Sequence, residues 1–252
     1  MKNKIQKTLS LPALLLGLAS AQLHAAINIT PTLLPDLASI TASSIVLRQD
    51  IDEKNVGTRY RAVDGGDNRS ILQSFQWNND RALVGIAFKL SSQTLAASQN
   101  FELRVFEIAG VTNGSAVNSK LETYTFTLGT SSLVGGNYLY FALPNGGLPI
   151  VKNKYYDIQI TATSVVGSND GTHSLSFRAS NGDTLSPGSG SQVSWITDPT
   201  SVNSVGWDFT FALVAAPIPE PATAGLTLAG GALLLVALLR RHRFSMRTRD
   251  RS

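Results

Sequence analysis

Two acidic clusters are the residues best placed by type and spacing to do chemistry: Asp50, Asp52 and Glu53 in DIDE, and Asp64 and Asp67 in DGGDN. Hard oxygen donors at this density are candidate ligands for a structural Ca²⁺, which takes about six to eight oxygens. The first cluster departs from the helix-loop-helix calcium pattern. Lys54 occupies a ligand position, and no Gly or closing Glu follows at the required spacing. A cation here would sit in a loop of a β domain, and the plain alternative is a solvated turn. No other cofactor is expected.

Histidine chemistry is nearly absent. Of three histidines, His24 and His242 lie close to the two ends and only His173 lies in the middle of the chain, which excludes a His-rich metal site. Asp170 and His173 share SNDGTHS, but no nucleophile-elbow Gly-x-Ser-x-Gly accompanies them. Glu102, Glu107, Glu122 and Asp157 lie in or beside predicted strands, which keeps a glycan-active enzyme open as the alternative to a non-enzymatic domain. Flat aromatic rings beside amides suit sugar faces. Trp77, followed by Asn78, Asn79 and Asp80, and Trp195, close to the loop-like SPGSGSQ, are the candidate ligand-binding residues. The alternation of their strands assigns Trp207 and Tyr156 to the core.

The elements that must position these residues are strands. Short alternating runs broken by Gly, Asn, Ser and Pro fill Ile27 to Ala216, among them SILQSFQW, ALVGIAFKL, FELRVFEI, KYYDIQITA and WDFTFALV. Val84, Ile86, Phe88 and Leu90 share one face by period two, as do Tyr156, Ile158, Ile160 and Ala162, and Trp207, Phe209, Phe211 and Leu213. About ten strands with one dry and one wet face each predict an all-β fold, an antiparallel jelly-roll-like β-sandwich. No fixed-period repeat points to a propeller or solenoid.

The ends carry a different signal. The chain has no cysteine, which removes disulfides, thiol catalysis and a lipid-modified cysteine. Its formal charge of +4 is uneven: Lys2, Lys4 and Lys7 give +3 before Ile27, and six arginines against Glu220 and Asp250 give +4 after Ala216. Twelve Lys and Arg against fifteen Asp and Glu remain between, a net of −3, so the basic balance gives no support for nucleic acid as a partner. Residues 1–25 read as a secretory signal peptide, with a lysine-bearing start, an apolar core from Leu9 to Ala19 and small residues suited to signal peptidase after Sec-type export. Residues 26–216 form the β domain. Ala222 to Leu239 is an uncharged run of 18 residues, about 27 Å as a helix, enough to span a membrane. The arginines behind it, and the basic tail 244–252, place that end in the cytoplasm.

Pro219-Glu220-Pro221, the short apolar run and Arg240-Arg241-His242-Arg243 together resemble the PEP-CTERM sorting domain over residues 217–243. Ile218 stands where valine is frequent, and the tail runs nine residues past Arg243. The resemblance implies a Gram-negative-type bacterium and an exosortase, a membrane-embedded transpeptidase-like enzyme, as a partner, usually alongside exopolysaccharide production. Pro219, Glu220, Pro221, Arg240, Arg241 and Arg243 are then the sorting residues. The strand order of the middle also resembles β-sandwich domains of exported envelope proteins, some similar to carbohydrate-binding modules. The expectation is an exported, non-enzymatic protein of the cell surface or extracellular matrix that binds polysaccharide; a purely structural matrix protein is the third reading.

Overall fold

A computed structural model describes residues 25–61, 68–166, 173–194, 197–203 and 206–216. The predicted signal peptide up to His24 and the sorting segment with its membrane run lie outside these residues. Among the described residues no helix is long and apolar enough to cross a membrane.

Fifteen strands and one 3-10 turn follow in chain order: β1 Ile27–Asn28, β2 Thr32–Leu34, the turn Ala42–Ser44, β3 Ile45–Gln49, β4 Lys54–Tyr60, β5 Ser70–Trp77, β6 Ala82–Lys89, β7 Gln93–Leu95, β8 Ser98–Ile108, β9 Val117–Leu128, β10 Ser131–Leu133, β11 Tyr138–Ala142, β12 Lys154–Val166, β13 His173–Ala179, β14 Gly188–Val193 and β15 Phe211–Ala216. The described residues are all-β. A six-stranded sheet runs β1-β9-β8-β12-β5-β14 and a five-stranded sheet runs β2-β11-β6-β15-β3, with the pairs β10-β7 and β13-β4 beside them. Every pairing is antiparallel except β1 with β9.

Period two explains why the two large sheets share one core. Ile71, Phe75 and Trp77 of β5 and Tyr156, Ile158, Ile160 and Ala162 of β12 pack with Ile86 and Phe88 of β6 and Phe211 and Leu213 of β15 in a single apolar cluster. Phe88 anchors an aromatic knot, with Phe177, Phe209 and Phe211 at ring distances of 5.7, 5.8 and 5.9 Å. Strict alternation fails once within β6. The β15 register passes from Val214↔Gly85 to Ala215↔Leu83, a bulge at Val84 that turns Leu83, rather than Val84, onto the face of Ile86.

The outward face of the six-stranded sheet is polar, and much of it is also buried. Asp157, Gln159 and Thr161 of β12 lie across from Ser74, Leu72 and Ser70 of β5, which lie across from Ser189, Ser191 and Val193 of β14. All nine are buried. Segment 197–203 runs past this side of the sheet. The Thr197 carbonyl accepts from Gln159 Nε2 at 3.2 Å, Asp198 pairs with Arg104 and Lys120, and Val202 packs with Phe106 and Ile108.

Both ends of the domain leave at one pole. Ile27 opposes Tyr124 and runs parallel to β9, entering from the side where β9 begins, and Ala216 closes β15 opposite Ala82, where β6 begins. The connection 78–81 from β5 to β6 marks the same pole.

Candidate functional site

The carboxylates of DIDE turn to separate partners. Asp50 accepts from the Arg48 guanidinium, whose pKa is raised chiefly by that hydrogen bond. Asp52 holds Lys89 Nζ at 2.6 Å and Arg178 Nη2 at 3.8 Å, while Glu53 Oε2 accepts the Asn181 backbone N–H at 2.7 Å. Among the described residues no group of three His, Cys, Asp or Glu could hold a metal ion. Asp64, Asp67 and Trp195 lie outside the described residues, and so do Pro219, Glu220, Pro221, Arg240, Arg241 and Arg243.

Trp77 requires a correction as a sugar platform. Its ring is 1% exposed, edge-on to Phe75 at 6.5 Å, and forms part of the shared core. The polar residues that follow it cover the strand end and do not expose the ring. Phe75 and Trp77 two positions apart already carried the period-two signal for the inner face.

The carboxylates considered for acid-base work do not face one another across a cleft. Glu102 Oε2 takes Arg104 Nε at 2.7 Å, Glu107 takes Lys154 Nζ at 2.6 Å, and Glu122 accepts the Thr123 backbone N–H at 2.9 Å. Asp157 is 1% exposed and its Oδ1 has no hydrogen-bond partner. Burial pushes its carboxyl up to about 8, so it is protonated at neutral pH. His173 begins β13, in register with Tyr60, and Asp170 lies outside the described residues.

Among the described residues, two of the grooves bring together walls distant in the chain, one towards each end of the molecule; a third, about 330 Å³, runs along Ala42 to Arg48. The first is polar, about 340 Å³, and far from both domain ends. Asn55 and Arg178 form one wall, Ser91 and Ser92 the turn after β6, and Gly135 and Gly136 the turn before β11. The β13-β4 pairing places Arg178 opposite Asn55, so Arg178 Nη1 donates to Asn55 Oδ1 at 2.6 Å and Nη2 donates to the Asp52 carbonyl. Ser92 Oγ accepts the Gly135 N–H at 3.0 Å, and a Cβ at Gly135 would stand 2.5 Å from that oxygen, so only glycine permits this approach. A guanidinium, an amide and hydroxyls around a shallow trough suit a polyol or saccharide. Asn55 and Arg178 are 123 residues apart in the chain, and nothing in their local sequence marks them as neighbours.

The second groove is apolar, about 340 Å³, and lies near the pole from which both domain ends emerge. Ile27, Leu121 and Tyr124 face Pro144, Leu148 and Pro149 across it, with Glu122 also in its lining. Tyr124 has its phenol pushed up to about 12, first by burial and then by Glu122. It therefore serves as a neutral wall.

Fold and grooves together define an all-β protein with two main sheets around one core. The chain matches no family model and no curated protein.

Proposed function

We propose that the protein is an exported component of the cell envelope or extracellular matrix, sorted by an exosortase through residues 217–243. Its central domain is a non-enzymatic, jelly-roll-like β-sandwich that contacts polysaccharide. The observation that carries this reading is the order of signals after Ala216: Pro219-Glu220-Pro221, an uncharged run of 18 residues and then arginines, in a chain that opens with a lysine-bearing apolar leader. The common exit pole of the domain supports it, because a domain held from that pole turns the polar groove of Asn55, Ser92 and Arg178 away from the attachment. Residues 1–25 act as the cleaved leader, 222–239 as the membrane stop and 244–252 as the cytoplasmic tail.

Intact mass of the product made by its native cells tests the sorting. A product lacking Arg240 to Ser252 is expected, and one that keeps them in wild-type cells overturns processing. A glycan array tests the domain, with Asn55→Ala and Ser92→Ala as the paired variants. Binding lost in both variants assigns the polar groove. Absence of binding to any glycan favours a purely structural matrix protein, and bond cleavage favours the enzyme.

A further inference from the structure

The balance of donors and acceptors in the polar groove narrows what it takes. The side-chain acceptors of its Asn55 and Arg178 wall turn inward: Asn55 Oδ1 takes Arg178 Nη1 at 2.6 Å, the Asp52 carbonyl takes Nη2, and Asp52 Oδ2 takes Lys89 Nζ at 2.6 Å. Donors are what this wall leaves for a ligand. With Oδ1 held on the guanidinium the Asn55 amide has one orientation, and its Nδ2 has no partner among the described residues. The Arg178 side chain is 27% exposed, so its fork is not sealed from the trough. On the other wall Ser92 Oγ accepts the Gly135 N–H at 3.0 Å and keeps its O–H to give, and Ser91 adds a second hydroxyl. A neutral sugar hydroxyl both donates and accepts, and a trough specialised for it offers both. A carboxylate only accepts, and it takes strong charge-assisted bonds from a guanidinium.

We propose that the polar groove binds the carboxylate of an acidic saccharide, a uronic acid unit of a polysaccharide, through Arg178 and Asn55 Nδ2, with the hydroxyls of Ser91 and Ser92 as further donors. This inference rests on the reading of that groove as the polysaccharide contact and sharpens it from saccharides in general to uronates. The local charge agrees. Arg178 and Lys89 stand against the single carboxylate of Asp52, whose Oδ1 is 3.8 Å from Arg178 Nη2. Residues 27–216 carry a net charge of −3, so a preference for an anion belongs to the groove and not to the overall charge of the domain. The donors are also in place before a ligand arrives, because the β13-β4 register fixes Arg178 against Asn55 and the Gly135 N–H fixes Ser92.

The test titrates the full chain in detergent micelles with short oligomers of galacturonate, glucuronate and mannuronate, each beside a counterpart whose carboxyls are reduced to alcohols. At least one acidic oligomer is expected to bind about tenfold more tightly than its counterpart, because a charge-assisted contact is exchanged for a neutral one. Asn55→Asp keeps the shape of the side chain and the bond from Arg178 but turns a carboxylate oxygen to the ligand. It should weaken the acidic oligomer by about tenfold and its counterpart by no more than about twofold. Arg178→Lys keeps the charge without the planar fork and should weaken the acidic oligomer by about fivefold. A thermal melt of each variant verifies the fold. Equal affinity within every pair overturns the inference, and its loss in Asn55→Ala then keeps the groove as a site for neutral saccharides. An acidic preference that Asn55→Asp leaves untouched also overturns it, because the carboxylate is then read elsewhere. Displacement of the oligomer by acetate at equal concentration overturns it by reducing the site to a carboxylate trap that reads no sugar. Absence of binding to any pair overturns the inference together with the groove reading beneath it.

Discussion

The two faces of the six-stranded sheet are both dry across its middle, yet they are built from opposite chemistry. The inner face is apolar around Ile71, Phe75, Ile158 and Ile160; Trp77 Nε1 is its one unpartnered polar side-chain atom among the described residues of β5 and β12, and its buried amide, Gln73, is fully bonded. Gln73 Nε2 donates to Asp208 Oδ1 at 2.9 Å and its Oε1 accepts the Phe209 N–H at 2.8 Å. The outer face buries Asp157, Thr161 and Ser191 with Asp157 Oδ1, Thr161 Oγ1 and Ser191 Oγ all unpartnered. Burial alone therefore does not measure stabilisation. A buried apolar group gains from leaving water, while a buried polar group without a partner loses its hydration and gains nothing in exchange.

Substitutions on the two faces should differ in size and in sign. Phe75→Ala on the inner face leaves a void beside Trp77 and Tyr156, and chemical unfolding should show a loss of about 4 kcal/mol. Asp208→Ala takes one of two acceptors from Gln73 Nε2, which keeps the Ser74 carbonyl, and strands the backbone N–H groups of Thr184 and Leu185, and the same measurement should show a loss of about 3 kcal/mol.

Outer-face changes should do the reverse. With its carboxyl at about 8 in the folded chain against about 4 when unfolded, Asp157 keeps a proton in the fold that the unfolded chain has released between those values. Stability contributed by this group is full below about pH 4 and falls as pH climbs to about 8. Asp157→Asn should remove that slope, about 1.4 kcal/mol per pH unit between those values, and so stabilise the protein at pH 8 relative to the parent, as read from unfolding curves across the range. Thr161→Val replaces an unpartnered hydroxyl by a methyl of the same shape and should change stability least, with a gain of about 0.5 to 1 kcal/mol in a thermal melt. A loss in both outer variants would erase the contrast between the faces.

The inner face was legible in the sequence and the outer one was not, for a physical reason. Alternation records where apolar groups go, so Tyr156 to Ala162 and Trp207 to Leu213 take the faces that period two assigns. Polar positions on the same strands read as wet, because cover arrives from a segment distant in sequence: Thr197 and Asp198 reach Gln159 and Arg104. β4 carries no period-two signal, because KNVGTRY mixes charge and Gly, with Thr58 its only fully buried residue. The Gly-Ser run in SPGSGSQ reads as a loop but pairs as β14. Gly190 is required there because a Cβ would meet the Trp207 ring at 2.8 Å. At the sites, the acidic residues stood out by composition while the polar groove did not, since the β13-β4 register alone brings Arg178 to Asn55.

The position of β15 also sets an order of events. It is the last strand of the domain in the chain, yet it lies between β6 and β3 in the five-stranded sheet and pairs with both. Until Phe211–Ala216 emerges from the ribosome or a translocation pore, β3 has no partner in that sheet and Phe88 lacks the Phe211 ring beside it. Completion of the core therefore waits for nearly the whole domain to arrive, and a chain halted short of Ala216 exposes apolar strand faces that the finished protein keeps covered.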